Sequence, residues 1–212
     1  MNVIDISNKL DFVVVDKFKD FKTFFENKAN TEELLAEWRR YIEDRLCNLA
    51  IAWRFDISAS GTSVLAYFSS SLFTPTEMMR AVVKLKDKDA KILTLWFNST
   101  LNILQILKER VETRGAFLEI PGFVLDKMLV LAPQKLSTAQ KEKLLRLFEQ
   151  IRNTSFPSVL EQLKTKFPTR IQIDKAVLRV LGFGVDEINR ILDYLYPALA
   201  NEIQQLKTLM QG

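Results

Sequence analysis

The sequence predicts an α+β fold: a small mixed sheet with a long buried helix, followed by an all-helical C-terminal tail. Three observations carry this. Two apolar, β-favouring runs, LAIAWRFDI (49–57) and VLAYFSSSLF (64–73), flank the turn Ser58-Ala-Ser-Gly-Thr-Ser63. From about Asp89 to Glu112, apolar residues cover most of a helical circumference, as in a helix buried on several sides. After Pro133 every pattern is helical. The chain therefore divides into an N-terminal extension (1–30), an α+β domain (31–133) and a helical tail (134–212).

In the extension, Val3 to Ile6 and Phe12 to Val15 read as strand-like pieces. The run KFKDFKTFFENK follows, with Phe18, Phe21, Phe24 and Phe25 at helical spacing and lysines between them. Interleaved Phe and Lys also suits a nucleic-acid surface, but a Phe face packed on a core is the favoured reading. A helix opens at Thr31, with Asn30 or Thr31 as cap, Glu32 and Glu33 at its positive end, and Leu34, Leu35, Trp38, Tyr41, Ile42 and Leu46 as its apolar face. The segment MMRAVVKLK alternates as a strand does, although Thr74-Pro75-Thr76-Glu77 before it has the form of a capping box.

The long helix ends at Arg114-Gly115. AFLEIPGFVLDKMLVLAP then supplies a strand, a turn at Pro121-Gly122, a short helical turn and a last strand. In the tail, Ser137 with Gln140 forms a capping box. Pro157 opens SVLEQLKTKF, which Pro168 closes. Gly182 stops IQIDKAVLRVLGF, and Pro197 lies within the final helix as an expected kink.

The 30 Lys+Arg and 26 Asp+Glu residues leave a net charge of +4, with 48% hydrophobic residues, enough for a packed core. There are no histidines, which excludes a His general base, a Ser-His-Asp or Cys-His arrangement and a His metal ligand. A single cysteine, Cys47, excludes an internal disulfide or an all-Cys zinc site and suits a reducing cytoplasm. The N-terminus lacks the character of a signal peptide, and the most apolar stretch, Ile92 to Leu107, is interrupted by Thr94, Asn98, Ser99, Thr100, Asn102 and Gln105. A cytoplasmic protein without a membrane partner is expected. No metal or cofactor cluster stands out.

The order of pieces is more specific than any one of them: LAIAWRFDIS…SVLAYFSSSLFTP, then Leu95-Trp96-Phe97-Asn98-Ser99-Thr100, Arg114-Gly115, Leu125…Val130-Leu131, and Ile173-Asp174-Lys175-Ala176-Val177. Over residues 45 to 205 this resembles the C-terminal target-recognition region of bacterial and archaeal N6-adenine DNA methyltransferases of restriction–modification systems. The resemblance implies sequence-specific recognition of duplex DNA on behalf of a catalytic methyltransferase domain or subunit. It also implies that Asn98-Ser99-Thr100 is a structural hallmark.

In that family an upstream domain holds the chemistry, with a Gly-rich loop for S-adenosylmethionine and an Asn-Pro-Pro-Tyr motif for the flipped adenine. This chain has no Pro-Pro pair, and its only G-x-G, Gly182-Phe183-Gly184, follows a helix. A non-catalytic role follows, with no catalytic residue and no cofactor. The chain would be a separate subunit, one product of a split gene, or a fragment of a longer protein.

Between Arg80 and Arg114 eight bases face four acids, an excess equal to the whole net charge. Lysine and arginine release counterions from phosphates, and arginine can read guanine. Arg54, Arg80, Lys84, Lys86, Arg110 and Arg114 are therefore the candidate DNA contacts. Their ordinary roles are a solvated rim and, for Arg110 and Arg114, complementing a helix dipole. The mid-helix Asn98-Ser99-Thr100 must bond backbone or face a groove, and packing is the favoured role. The same triplet spells a glycosylation acceptor, a coincidence in a buried helix.

Two rival functions remain open. One is a protein–protein module built on the helical tail without DNA. The other is a helix-turn-helix regulator using residues 171–195, whose second helix starts with Asp186 and Glu187, poorly suited to a phosphate-lined groove.

Overall fold

A computed structural model describes residues 43–75, 78–82, 85–111 and 115–210, with Glu32, Glu33, Ala36, Arg39 and Arg40 in the helix before them. The extension 1–30, with its strand-like pieces and Phe-rich run, lies outside the described residues. So do Lys84 and Arg114.

The architecture is α+β, and its strands form two small antiparallel sheets. In the first, β1 (Cys47–Ala52) lies between β3 (Ala66–Phe73) and β4 (Met79–Val82). In the second, β2 (Arg54–Asp56) pairs with β5 (Phe117–Glu119). The apolar run read as one strand is thus two strands, with Trp53 between them. The Trp53 N–H donates to the Met78 carbonyl (3.0 Å), and the Trp53 carbonyl accepts from Ile120 N–H (3.0 Å). One residue therefore serves both sheets, and the chain changes sheet there without leaving a backbone polar group unpaired.

The expected long helix is also two: α1 (Asp87–Phe97) and α2 (Thr100–Glu109). The break falls on Asn98-Ser99. Ser99 is extended (φ −75°, ψ 157°), and its hydroxyl accepts from Asn102 N–H to cap α2. Serine and asparagine compete with helical backbone bonds, which is why a continuously apolar pattern divides here.

After β5 comes the short helix α3 (Gly122–Leu125). The last strand expected at 129–132 does not form. The Gln105 carboxamide takes the place of a neighbouring strand, accepting from Leu129 N–H (2.8 Å) and donating to the Leu129 carbonyl (3.1 Å).

The tail comprises α4 (Thr138–Ile151), α5 (Val159–Lys164), α6 (Pro168–Val180) and α7 (Val185–Leu209), which continues through Pro197. The Ser137/Gln140 capping box is formed. Pro168 opens α6 where the sequence reading had it close the helix before, as the donor-free first position of a helix permits. Gly182, at φ +98°, ends α6: its N–H donates to Arg179 and that of Phe183 to Leu178, a Schellman arrangement.

Two cores result. One gathers Phe55, Leu118, Ile103, Leu160 and Ile203 around β2, β5, α2, α5 and α7. The other gathers Leu49, Phe68, Leu95, Phe148 and Val177 around the first sheet, α1, α4 and α6. Each draws residues from both sides of Pro133, so the helical tail packs directly on the strand-bearing part.

Gly115 shows why a glycine follows Arg114. It has φ +59°, and a Cβ there would collide with Met210 Cγ and stand 2.8 Å from the Leu206 carbonyl oxygen. Gly115→Ala is expected to lower stability by about 1–3 kcal/mol, from the strained backbone and the displaced end of α7. Urea denaturation checks this, and a loss below about 0.5 kcal/mol would show that the end of α7 is not held against Gly115.

Candidate nucleic-acid interface

The candidate arginines are placed by the sheet junction. Trp53, half-buried, presents its ring to two guanidinium groups: Arg80 Cζ lies 4.0 Å and Arg54 Cζ 4.3 Å from the ring centroid. The β1–β4 register sets Arg80 opposite Ile51, two residues before Trp53, while Arg54 follows Trp53 in sequence. Arg54 also donates to Glu119 across the β2–β5 pair (3.0 Å). Among the described residues Arg80 has no ion-pair partner, and its Nε, like Trp53 Nε1, is buried without a hydrogen-bond partner there. Stacking holds the Arg80 guanidinium plane, and no acid among the described residues compensates its charge, a state suited to an incoming anion.

The other candidates stand elsewhere. Lys86 is exposed at the N-cap of α1. Arg110, at the end of α2, donates to the Leu107 carbonyl (2.7 Å) and to Glu202 on α7 (2.8 Å). Its charge caps α2 and ties it to α7, the helix-terminus role weighed for it from sequence. The structure thus brings Arg54 and Arg80 together and separates Lys86 and Arg110 from them. Trp53, the residue that joins the first pair, is not among the candidates the sequence offers; its place directly before Arg54 is the available signal.

The densest polar cluster is buried. Asn98 Oδ1 accepts from the N–H groups of Leu65 (2.6 Å) and Ala66 (3.3 Å), and its Nδ2 donates to the carbonyls of Ala66 and Thr94 (both 2.9 Å). Arg170, 1% exposed, donates Nε (2.9 Å) and Nη2 (2.6 Å) to Gln162 Oε1, and Nη1 to the Asn98 carbonyl. Asp174, 2% exposed, accepts from Thr100 N–H, Thr100 Oγ1–H and Tyr196 O–H, each at 2.6 Å.

Burial pushes the Asp174 carboxyl above the ordinary carboxylate range, against the pull of the Arg170 charge and these donors. Burial likewise lowers Arg170 and, together with Asp174, raises the Tyr196 phenol. With Asp174's oxygens bonded on three sides and almost no exposure, this cluster offers a substrate no opening. It is a structural knot. Arg170, Gln162 and Tyr196 were not singled out from sequence, because a charged residue on a helix ordinarily reads as surface.

Cys47 is equally closed. It is 1% exposed at the start of β1, and burial pushes its thiol up to about 11. No group of three or more His, Cys, Asp or Glu residues that could hold a metal occurs among the described residues, and no described helix is long and apolar enough to cross a membrane.

No family model matches the chain, and no solved structure matches it. Among curated proteins, a HPr kinase/phosphorylase of Lactobacillus johnsonii is 26% identical over 152 residues, 71% of this chain and 42% of that protein. The likeness spans about two-fifths of that relative's length.

Two outcomes are expected. Asp174→Asn, which places an amide where Thr100 and Tyr196 donate and removes the charge opposing that of Arg170, should cost about 2–5 kcal/mol in urea denaturation. A cost under about 1 kcal/mol would mean that the Asp174 carboxylate does not hold these groups together. Cys47 should resist a thiol reagent at pH 8 in the native chain and titrate fully in denaturant; rapid native labelling would contradict its burial.

Proposed function

We propose that the chain recognises duplex DNA as the non-catalytic, target-recognition part of an N6-adenine DNA methyltransferase. The observation that carries this reading is the meeting of two pieces on which the resemblance rests. Asn98-Ser99-Thr100 and Asp174 lie far apart in sequence, yet Thr100 donates twice to the Asp174 carboxylate in the core. The two pieces thereby belong to one packed unit, in keeping with the resemblance. The Arg54–Trp53–Arg80 cluster supports the reading by offering phosphate or guanine the stacked Arg80 guanidinium, which has no acid partner among the described residues.

Phosphoryl transfer, as the name of the Lactobacillus johnsonii relative would have it, is not supported by this chain's own residues. A nucleotide cradle of the Gly-x-x-x-x-Gly-Lys-Ser/Thr kind is absent from the sequence. Gly182 ends α6, and the Gly184 N–H donates to Glu187 at the start of α7 (2.8 Å).

A second reading, a protein-interaction module, is favoured by one observation. An open apolar groove of about 690 Å³ lies between α2, the end of α6 and residues 129–132, with Leu129, Val130, Leu181 and Phe183 exposed.

Selection of randomised duplexes against the purified chain separates the readings. Recognition of DNA gives a short enriched motif, with an affinity that falls with salt at a slope of several phosphate contacts. No enrichment and no binding at about 50 mM salt, where electrostatic contacts are strong, would reject the DNA reading in favour of the groove.

A further inference from the structure

We infer that the seam between α4 and α6 is a groove for the phosphodiester backbone of duplex DNA; this rests on the DNA reading and adds a contact surface to it. α4 turns Gln140, Lys143 and Gln150 to the seam, and α6 turns Gln172, Lys175 and Arg179, around an open groove of about 460 Å³ with an apolar floor. Within α4 these residues stand three, seven and ten positions apart and within α6 three, four and seven, so each set forms one face.

The acids of the same two helices point away. Each stands two residues after a residue lining the seam, about 200° round the helix. Glu142, after Gln140, pairs with Arg146 (3.3 Å). Glu149, after Leu147, pairs with Lys91 (2.5 Å) and Arg152 (3.0 Å). Asp174, after Gln172, is buried against Thr100 and Tyr196. The seam is therefore lined by three cations and three carboxamides, with no carboxylate among the described residues.

Among the described residues none of the three cations has an ion-pair partner, although Lys175 is half-buried in the seam. A merely solvated helix face interleaves acids with bases at a spacing of three or four, as Glu142 and Arg146 do on α4. Gln140 is committed: it completes the α4 capping box and donates to the Val180 carbonyl (3.3 Å), holding the helices together. Gln150 and Gln172 have no side-chain partner among the described residues and can meet sugar or phosphate oxygens. Cations plus carboxamides without a carboxylate is the chemistry of a nucleic-acid backbone site.

The test compares the intact chain with a variant carrying Lys143→Gln, Lys175→Gln and Arg179→Gln. All three side chains line an open surface, so the variant should melt as the parent does. Affinity for a duplex is followed from about 50 to 200 mM salt, and three lost phosphate contacts reduce the log–log slope by about 2–3 and weaken binding at least tenfold across all sequences. Lys175→Arg, which keeps the charge, should bind as the parent does.

An unchanged slope in the triple variant, with the parent binding DNA, overturns the groove and leaves the DNA reading standing. A parent that binds no duplex at about 50 mM salt overturns both. A variant that loses binding to a poly-glutamate peptide but not to DNA overturns the groove in favour of an acidic protein partner.

Discussion

The Asn98 carboxamide replaces a strand. It gives and receives hydrogen bonds along the backbone at the start of β3, at Leu65 and Ala66, while the Asn98 backbone carbonyl accepts from Arg170 on α6. A buried donor or acceptor left empty costs about 1–3 kcal/mol, so each partner is held in place by the need to satisfy the next. Ser99 then caps α2, and Thr100 binds Asp174, which Tyr196 of α7 also holds. Three consecutive residues thus fasten the first sheet, α1, α2, α6 and α7. Apolar packing alone is non-directional; this chain of bonds specifies which helix ends meet the strand.

The same turn explains what was legible in the sequence. The helices of the tail announce themselves through caps: Ser137 with Gln140, and Gly182 at positive φ, do locally what their residue types imply. The fold class follows from period and β-branched content. The division of the long helix at Asn98-Ser99 could not be read from hydrophobicity, because Ile92 to Leu107 is apolar on both sides of the break. It depends on Asp174 and Arg170, more than seventy residues away, which fix the polar triplet in a turn. The missing strand at 129–132 has the same origin. Its pattern is β-favouring, yet the available partner is a glutamine side chain on α2, and a side chain can match only one residue of a ladder.

Charge was legible as a sum and not as a placement. The excess of bases between residues 80 and 114 is real, but the described members do different work. Arg110 is spent on Glu202 and a helix end, whereas Arg80 rests on Trp53 with no ion-pair partner among the described residues. Spacing along a strand cannot distinguish these, because ion pairs such as Arg54–Glu119 and Arg110–Glu202 form between elements distant in sequence. Conversely, α4 and α6 carry no conspicuous basic run. Their cations emerge as a surface only when two helices lie side by side with their acids turned outward or inward.

That sorting has a physical basis in the buried knot. Asp174 is the one acid of α6, and it is drawn inward because Thr100 and Tyr196 need an acceptor there. With it goes Arg170, whose charge opposes that of Asp174 within the core. The outer face of α6 is left with Lys175 and Arg179 alone. Neutralising them with an acid on the neighbouring face of α4 would stabilise the seam by the modest energy of a surface pair, about 0.2–1 kcal/mol. The chain forgoes this, using Glu142 and Glu149 on the far side of α4 instead. A surface that leaves such pairs unmade, beside a buried knot in which Asn98, Thr100, Arg170 and Asp174 are all bonded, keeps its charges free of the described acids.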